Sequence, residues 1–186
     1  MSPNPTQLAV RASINAKHAV IDRSSWGIRQ PVSSRLESDW NYQAIALHHS
    51  GNWGKKDPKD IEKIHMVDNG WDDVGYHYLV HPSGSIYEGR KIYHEGAHVL
   101  GANPGKIGVL LLGDYDEQLW DWDDELSASH VNVVNGLIAT LIGHFPSIRQ
   151  LGGHKEFLKG QDYTCPGNLI LQQLAPMRAR HGLSAP

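Results

Sequence analysis

Strand-like and helix-like stretches alternate along this chain, and the order predicts an α/β fold: a single domain with a central mixed β-sheet flanked by helices. Three observations carry that prediction. Apolar runs at residues 44–48 and 107–112, rich in Ile, Leu and Val, have the length and composition of buried strands. Val133, Val134, Leu137, Ile138, Leu141 and Ile142 follow a helical period. Pro82-Ser83-Gly84, between two strand-like runs, is hairpin chemistry.

Residues 1–22 read as a weakly ordered arm, with Pro3, Pro5, Gln7, Arg11 and Asn15 scattered through them, and residues 23–186 as the domain. The first strand, 44–48, ends on His48. Asp57-Pro58 is a helix start, with Asp57 as N-cap and proline in the first turn. That helix passes through Ile61, Ile64 and Val67 and stops at Gly70. Runs 76–81 and 85–88 form the hairpin, and 107–112, bounded by glycines, is another central strand. Asp72 and Asp73 read as turn residues before the hairpin. Asp121, Asp123, Asp124 and Glu125 precede the long helix and suit its positive N-terminal end. The stripe 133–142 is core, the helix ends near Pro146, and a last helix covers 169–178.

The 186 residues suffice for one domain with a sizeable core. With 40% hydrophobic and 20% charged residues, the composition is that of an ordinary globular protein. A net charge of −3 argues against nucleic acid as the main partner, because phosphate binding needs a basic surface. No apolar run is long enough to span a bilayer. The first residues lack the apolar segment of a signal peptide, so the chain is expected to start in a cytoplasm. Its single cysteine excludes an internal disulfide.

That cysteine, Cys165, sits in Thr164-Cys165-Pro166-Gly167, shortly after Gly152-Gly153-His154, while Leu47-His48-His49-Ser50 closes the first strand. Two histidines and a thiolate are three soft or borderline ligands that suit zinc, and three protein ligands leave a fourth position for water. Structural zinc sites close all four positions, so the set points to a catalytic zinc and to hydrolysis. Taken singly, each histidine reads as a hydrogen-bonded core residue, and Cys165 as a small buried hydrophobe. Successive strand side chains point to opposite faces, so His48 and His49 cannot both face one site.

The residues that decide between these readings occur together and in order: Arg23-Ser24-Ser25-Trp26-Gly27-Ile28-Arg29, Leu47-His48-His49-Ser50, Gly70-Trp71-Asp72-Asp73-Val74-Gly75-Tyr76-His77-Tyr78, Tyr87-Glu88-Gly89-Arg90, Gly96-Ala97-His98, Ile107-Gly108-Val109, Gly153-His154-Lys155 and Cys165-Pro166-Gly167. In these segments the chain resembles zinc-dependent N-acetylmuramoyl-L-alanine amidases, the type shared by peptidoglycan recognition proteins and short phage lysozyme-amidases. The resemblance implies a mixed sheet with a groove over a metal. It implies His48, His154 and Cys165 as Zn2+ ligands and Tyr76 as a catalytic hydroxyl. It places Trp53 and His98 along the substrate groove. Family members carry lysine or threonine two positions before the last ligand, whereas this chain has Tyr163 there and threonine one step later. Thr164, Tyr163 and Lys159 are therefore the candidates for stabilising the oxyanion.

The activity so implied is hydrolysis of the bond between N-acetylmuramic acid and L-alanine in peptidoglycan, by an endolysin-like or secreted-toxin-like enzyme acting at the cell wall. The expected partners are peptidoglycan and muropeptides, not nucleic acid or membrane, and the chain is expected to be a monomer. Two alternatives stand beside it. One is a non-catalytic peptidoglycan-binding module, a class that typically lacks the cysteine. The other is a cytoplasmic muropeptide-recycling amidase, a class that usually has aspartate at that position. His94-Glu95-Gly96-Ala97-His98 has the His-Glu-x-x-His spacing, but with glycine inside it and no helical pattern through it, it does not read as the helix that carries the general base of the familiar metalloproteases.

Overall fold

The computed structural model describes residues 2–51, 57–116, 124–158 and 164–186. Its strands are β1 (Ala44–His49), β2 (Tyr78–Val80), β3 (Ile86–Glu88), β4 (Lys106–Leu111) and β5 (Gln150–Gly153). They form one mixed sheet in the order β3-β2-β4-β1-β5. β1 pairs in parallel with both β4 and β5, β2 pairs in parallel with β4, and β2–β3 is the antiparallel hairpin. All six residues of β1 are buried, as a strand covered on both faces requires.

The helices are α1 (Pro5–Lys17), α2 (Arg23–Trp26), α3 (Pro58–Glu62), α4 (Ala128–His144) and α5 (Asn168–His181). On one face of the sheet, Ile45, Leu47, Ile107, Val109 and Leu111 pack with Val134, Leu137, Ile138 and Leu141 of α4, Leu174 and Met177 of α5, and Ile14 of α1. On the other face, Leu79, Leu110 and Leu112 pack with Trp26 of α2 and Ile61 of α3. Ala46, Val99 and Leu158 form a third, small cluster.

Asp57 caps α3 through its side chain, which accepts from the Lys59 N–H, and Pro58 opens the helix. The helix runs on as a π-helical segment, Lys63–Asp68, and Gly70 follows at φ 68°. A π-segment widens the turn and commonly marks a functional site.

Two expectations are corrected. The expected arm is helix α1: Asn4 and Gln7 make a reciprocal capping box, and Ile14 is fully buried. Arg11 of α1 pairs with Glu88 and Asp22, which ties the helix to the hairpin. Its low overall hydropathy hid it, because Ile14, a partly buried Val10 and the ion pairs of Arg11 hold it instead of a full apolar stripe. Second, the hairpin strands are shorter than 76–81 and 85–88, since Tyr76 and His77 precede β2. Of the acidic run, Asp124 and Glu125 precede the Ser127 cap of α4, and the first turn of the helix holds no acid. Asp124 accepts the Asp114 N–H at 3.0 Å, and Asp121 and Asp123 lie outside the described residues.

Candidate metal centre

Alternation along β1 places Ala44, Ala46 and His48 on the α3 side of the sheet. In register with Ala46 stand Gly108 of β4 and Gly152 of β5. This row of small residues leaves a depression beside His48. The His98 ring fills it over Gly108, where an added Cβ would lie 2.4 Å from His98 Cδ2. Phe157 fills it over Gly152, where a Cβ would lie 2.8 Å from Phe157 Cε2.

His154 follows β5 directly and opens the 3-10 turn His154–Phe157. The Gly153 N–H donates to the Glu156 carboxylate at 2.8 Å, and Arg178 of α5 donates to the same carboxylate. Arg178 Nε also donates to the Leu151 carbonyl at 2.7 Å, so α5 clamps the strand end that carries His154. Cys165 comes in beside it. Its carbonyl accepts the Lys155 N–H at 3.2 Å, and Pro166 packs on Gly153, where a Cβ would lie 2.7 Å from the proline ring. Gly167, at φ 84°, passes so close to the Tyr115 carbonyl that a Cβ would lie 2.4 Å from its oxygen.

His48, His154 and Cys165 thus come together, with one ligand atom from each within 4.8 Å of the others. His48 Nδ1 lies 3.6 Å from Cys165 Sγ. Two donors on one tetrahedral zinc, one nitrogen and one sulfur, are about 3.5 Å apart at ordinary bond lengths. The donor set and its spacing therefore fit a zinc-type metal. Burial, with His98 and His154 nearby, holds His48 well below the ordinary imidazole pKa, and burial lowers His154 as well. Both rings therefore offer lone pairs at neutral pH. Burial pushes the Cys165 thiol up to about 12, although the His49 backbone N–H favours the thiolate.

His49 lies apart from the cluster. Its Nδ1 accepts the Tyr115 N–H at 3.2 Å and stands 3.7 Å from the Asp114 carboxylate. Tyr76 stands with its ring 5.0 Å from the His48 ring. Burial, and then the charge of Cys165, push its pKa above the ordinary phenol value. Tyr76, His98 and His154 line a pocket of 330 Å³ together with Trp71, Ala97, Leu100 and Asn103. A second pocket of 380 Å³, with Arg35, Glu37, Asp72 and Glu95 at its wall, shares Trp71, Ala97 and Asn103 with the first, so the two adjoin along these residues. Thr164 is exposed beside Cys165. Trp53, Lys159 and Tyr163 lie outside the described residues. Asp73 is buried and pairs with Arg23 at 3.4 Å, a structural role.

Two histidines near Tyr76 escaped the sequence reading in part or whole. His65, in the π-segment, accepts the Gly75 N–H at 3.0 Å and stacks 4.5 Å from Trp71 and 5.4 Å from Tyr76. Nothing in its local sequence separates it from any other helical histidine. His98, expected only to line the groove, also contacts His48 directly at 3.1 Å.

Residues 38–168 match the family of N-acetylmuramoyl-L-alanine amidases called Amidase_2, and the chain belongs to that family. Among curated proteins it is similar to peptidoglycan-recognition protein SC2 of Drosophila simulans, 28% identical over 163 residues, which cover 83% of this chain and 84% of that protein. It is also similar to an N-acetylmuramoyl-L-alanine amidase of Sus scrofa, 29% identical over 116 residues, covering 62% of this chain and 18% of that one. Among solved structures, Drosophila PGRP-LB superposes with a TM-score of 0.70 at 25% identity, covering 89% of this chain and 95% of that one. The amidase LysC of Clostridium intestinale shares the fold at a TM-score of 0.72 and 22% identity, covering 89% and 98%.

Proposed function

We propose that this chain is a zinc-dependent amidase that cuts the bond between the lactyl group of N-acetylmuramic acid and L-alanine in peptidoglycan. The observation that carries the reading is the His48–His154–Cys165 cluster, which meets the groove through His154, in a chain of the amidase family. When bound there, zinc would supply a water of lowered pKa and polarise the carbonyl under attack. The chain's own residues do the rest. His48, His154 and Cys165 hold the metal. Tyr76, whose raised pKa keeps its proton through the neutral range, acts as a hydrogen-bond donor to charge developing on the carbonyl oxygen. Trp71 and Leu100, 39% and 79% exposed, give the groove apolar rims for the substrate, and the pocket beyond Trp71 has charged walls for a polar peptide.

Peptidoglycan as the substrate class is supported by the family and by a fold neighbour, peptidoglycan recognition protein LE, solved in complex with tracheal cytotoxin, a monomeric diaminopimelic acid-type peptidoglycan. Action at the cell wall belongs to the same proposal. The test is a digest of purified peptidoglycan read by mass spectrometry. The expected products are peptides with a free L-alanine amine and uncut glycan strands, with loss of activity on chelation and recovery with zinc. New reducing sugar ends without new L-alanine amines would overturn the amidase reading. Binding without release would make the chain a recognition module.

A further inference from the structure

His98 reaches the cluster from far along the chain, and both of its ring nitrogens are engaged. Nδ1 lies 3.1 Å from His48 Nε2, and Nε2 lies 3.3 Å from the Lys106 carbonyl oxygen. A carbonyl oxygen only accepts, so the contact at Lys106 is made by an Nε2–H of His98. An imidazole with its single proton on Nε2 offers a lone pair at Nδ1. That lone pair takes the Nε2–H of His48. His48 is then left with its own lone pair on Nδ1, the atom that faces Cys165 Sγ at 3.6 Å.

We propose that His98 is a positioning residue that fixes the tautomer of His48: the chain of hydrogen bonds from His48 Nε2–H to His98 and from His98 Nε2–H to the Lys106 carbonyl leaves His48 Nδ1 bare for a metal. The proposal deepens the zinc reading of this site and rests on it. Ring nitrogens remote from a metal commonly donate to a carbonyl or carboxylate, which orients the ligand. Here a second histidine is inserted between ligand and carbonyl.

The surroundings hold His98 for that task. An added Cβ on Gly96 would lie 2.4 Å from His98 Cδ2 and 2.6 Å from its Nε2, and one on Gly108 would lie 2.4 Å from Cδ2. Two glycines therefore let the backbone close on the ring. The backbone N–H groups of His98 and Val99 both donate to Asn103 Oδ1, at 2.8 and 2.7 Å, which fixes the loop from which the ring projects. The opposite tautomer of His48 would point an N–H at Cys165 and at the metal position.

The experiment reads the tautomers directly in metal-free, nitrogen-15-labelled protein, by long-range proton–nitrogen correlation within the imidazole rings. In the wild type, His48 and His98 are both expected to carry their proton on Nε2. In His98→Leu, which removes the acceptor, His48 should populate both tautomers, and zinc affinity measured against a chromogenic chelator should fall about 10–100-fold. In His98→Asn, whose Oδ1 can stand in for the lost Nδ1 as acceptor, tautomer and affinity should stay near wild type. A role in packing alone would leave the His48 tautomer unmoved in both variants. A His48 proton on Nδ1 in the wild type, or an unchanged His48 tautomer in His98→Leu, overturns the proposal. The wild-type spectrum decides alone should the leucine variant not fold. A wild type that binds no zinc sinks the metal reading, and this proposal with it. A wrong tautomer in a wild type that does bind zinc sinks this proposal only.

Discussion

Loading zinc into this chain is expected to release close to one proton at pH 6.5, and the proton comes from Cys165. Metal ligands must be deprotonated, so binding displaces whatever protons the free site holds. The structure gives that count. Burial and neighbouring imidazoles hold His48 well below its ordinary value, and burial lowers His154, so both rings favour their neutral forms at this pH. Burial pushes Cys165 up to about 12, so the free site holds an S–H group. A metal that competes with one proton gains about tenfold in apparent affinity for each pH unit, or about 1.4 kcal/mol. The assay is calorimetric titration of chelator-stripped protein with zinc in two buffers of different ionisation enthalpy, from which the proton count follows. Cys165→Ser should bind far more weakly and release no proton. Zero release by the wild type would mean that the thiol is not a ligand, or that it is already ionised. Ionisation of a zinc-bound water would add a proton only as pH rises; a full second proton at pH 6.5 or below would mean that one of the histidines is charged in the free site. Either result refutes the reasoning.

Tyr76→Phe keeps the ring contacts with His48 and His65 and removes only the hydroxyl, so zinc content and fold should hold while kcat falls by roughly 10²-fold or more, as for the loss of one transition-state donor; near-normal turnover would return Tyr76 to a packing role. Ile14→Ala should cost about 2–5 kcal/mol in chemical denaturation, because Ile14 is fully buried in the main core, whereas a freely hanging arm would show no loss. Acid should destabilise the metal-free fold: burial lowers buried His65 and His77 to about 4, so the fold favours their neutral forms and the unfolded chain takes up protons first. Their stabilisation is complete above about pH 6.5 and is lost as pH falls toward 4, roughly 2–3 kcal/mol for each by pH 4.5, and a denaturation midpoint that stays flat from pH 7 to 4.5 would refute it.

Elements that carry their own signal were legible in the sequence. β1 and β4 are continuous apolar runs, the hairpin carries turn chemistry, and α3 has its Asp-Pro start. β5 was not legible. Gln150-Leu151-Gly152-Gly153 has one large apolar residue, and its strand form comes from pairing with β1 rather than from its own pattern. α1 carried one usable mark, the Asn4–Gln7 capping box, but no apolar stripe. At the site, the identities of His48, His154 and Cys165 could be read from residue chemistry and family resemblance. The His48–His98 contact could not, because it joins segments that only the fold brings together. The small residues in register, Ala46, Gly108 and Gly152, were visible as letters. Their role as the floor of a depression needs the strand order.

The same geometry explains why a site made of three distant segments can be rigid. His48 and His154 sit at the ends of two neighbouring parallel strands, whose spacing the backbone hydrogen bonds fix. The third candidate ligand, Cys165, comes from outside the sheet and needs a separate anchor. Pro166 seated on Gly153 supplies one contact, and the Cys165 carbonyl bonded to the Lys155 N–H supplies another. Arg178 holds that strand end from α5 through Leu151 and Glu156. Each candidate ligand is thus positioned by backbone that the core of the opposite face already orders, so the groove can stay open without loosening the cluster.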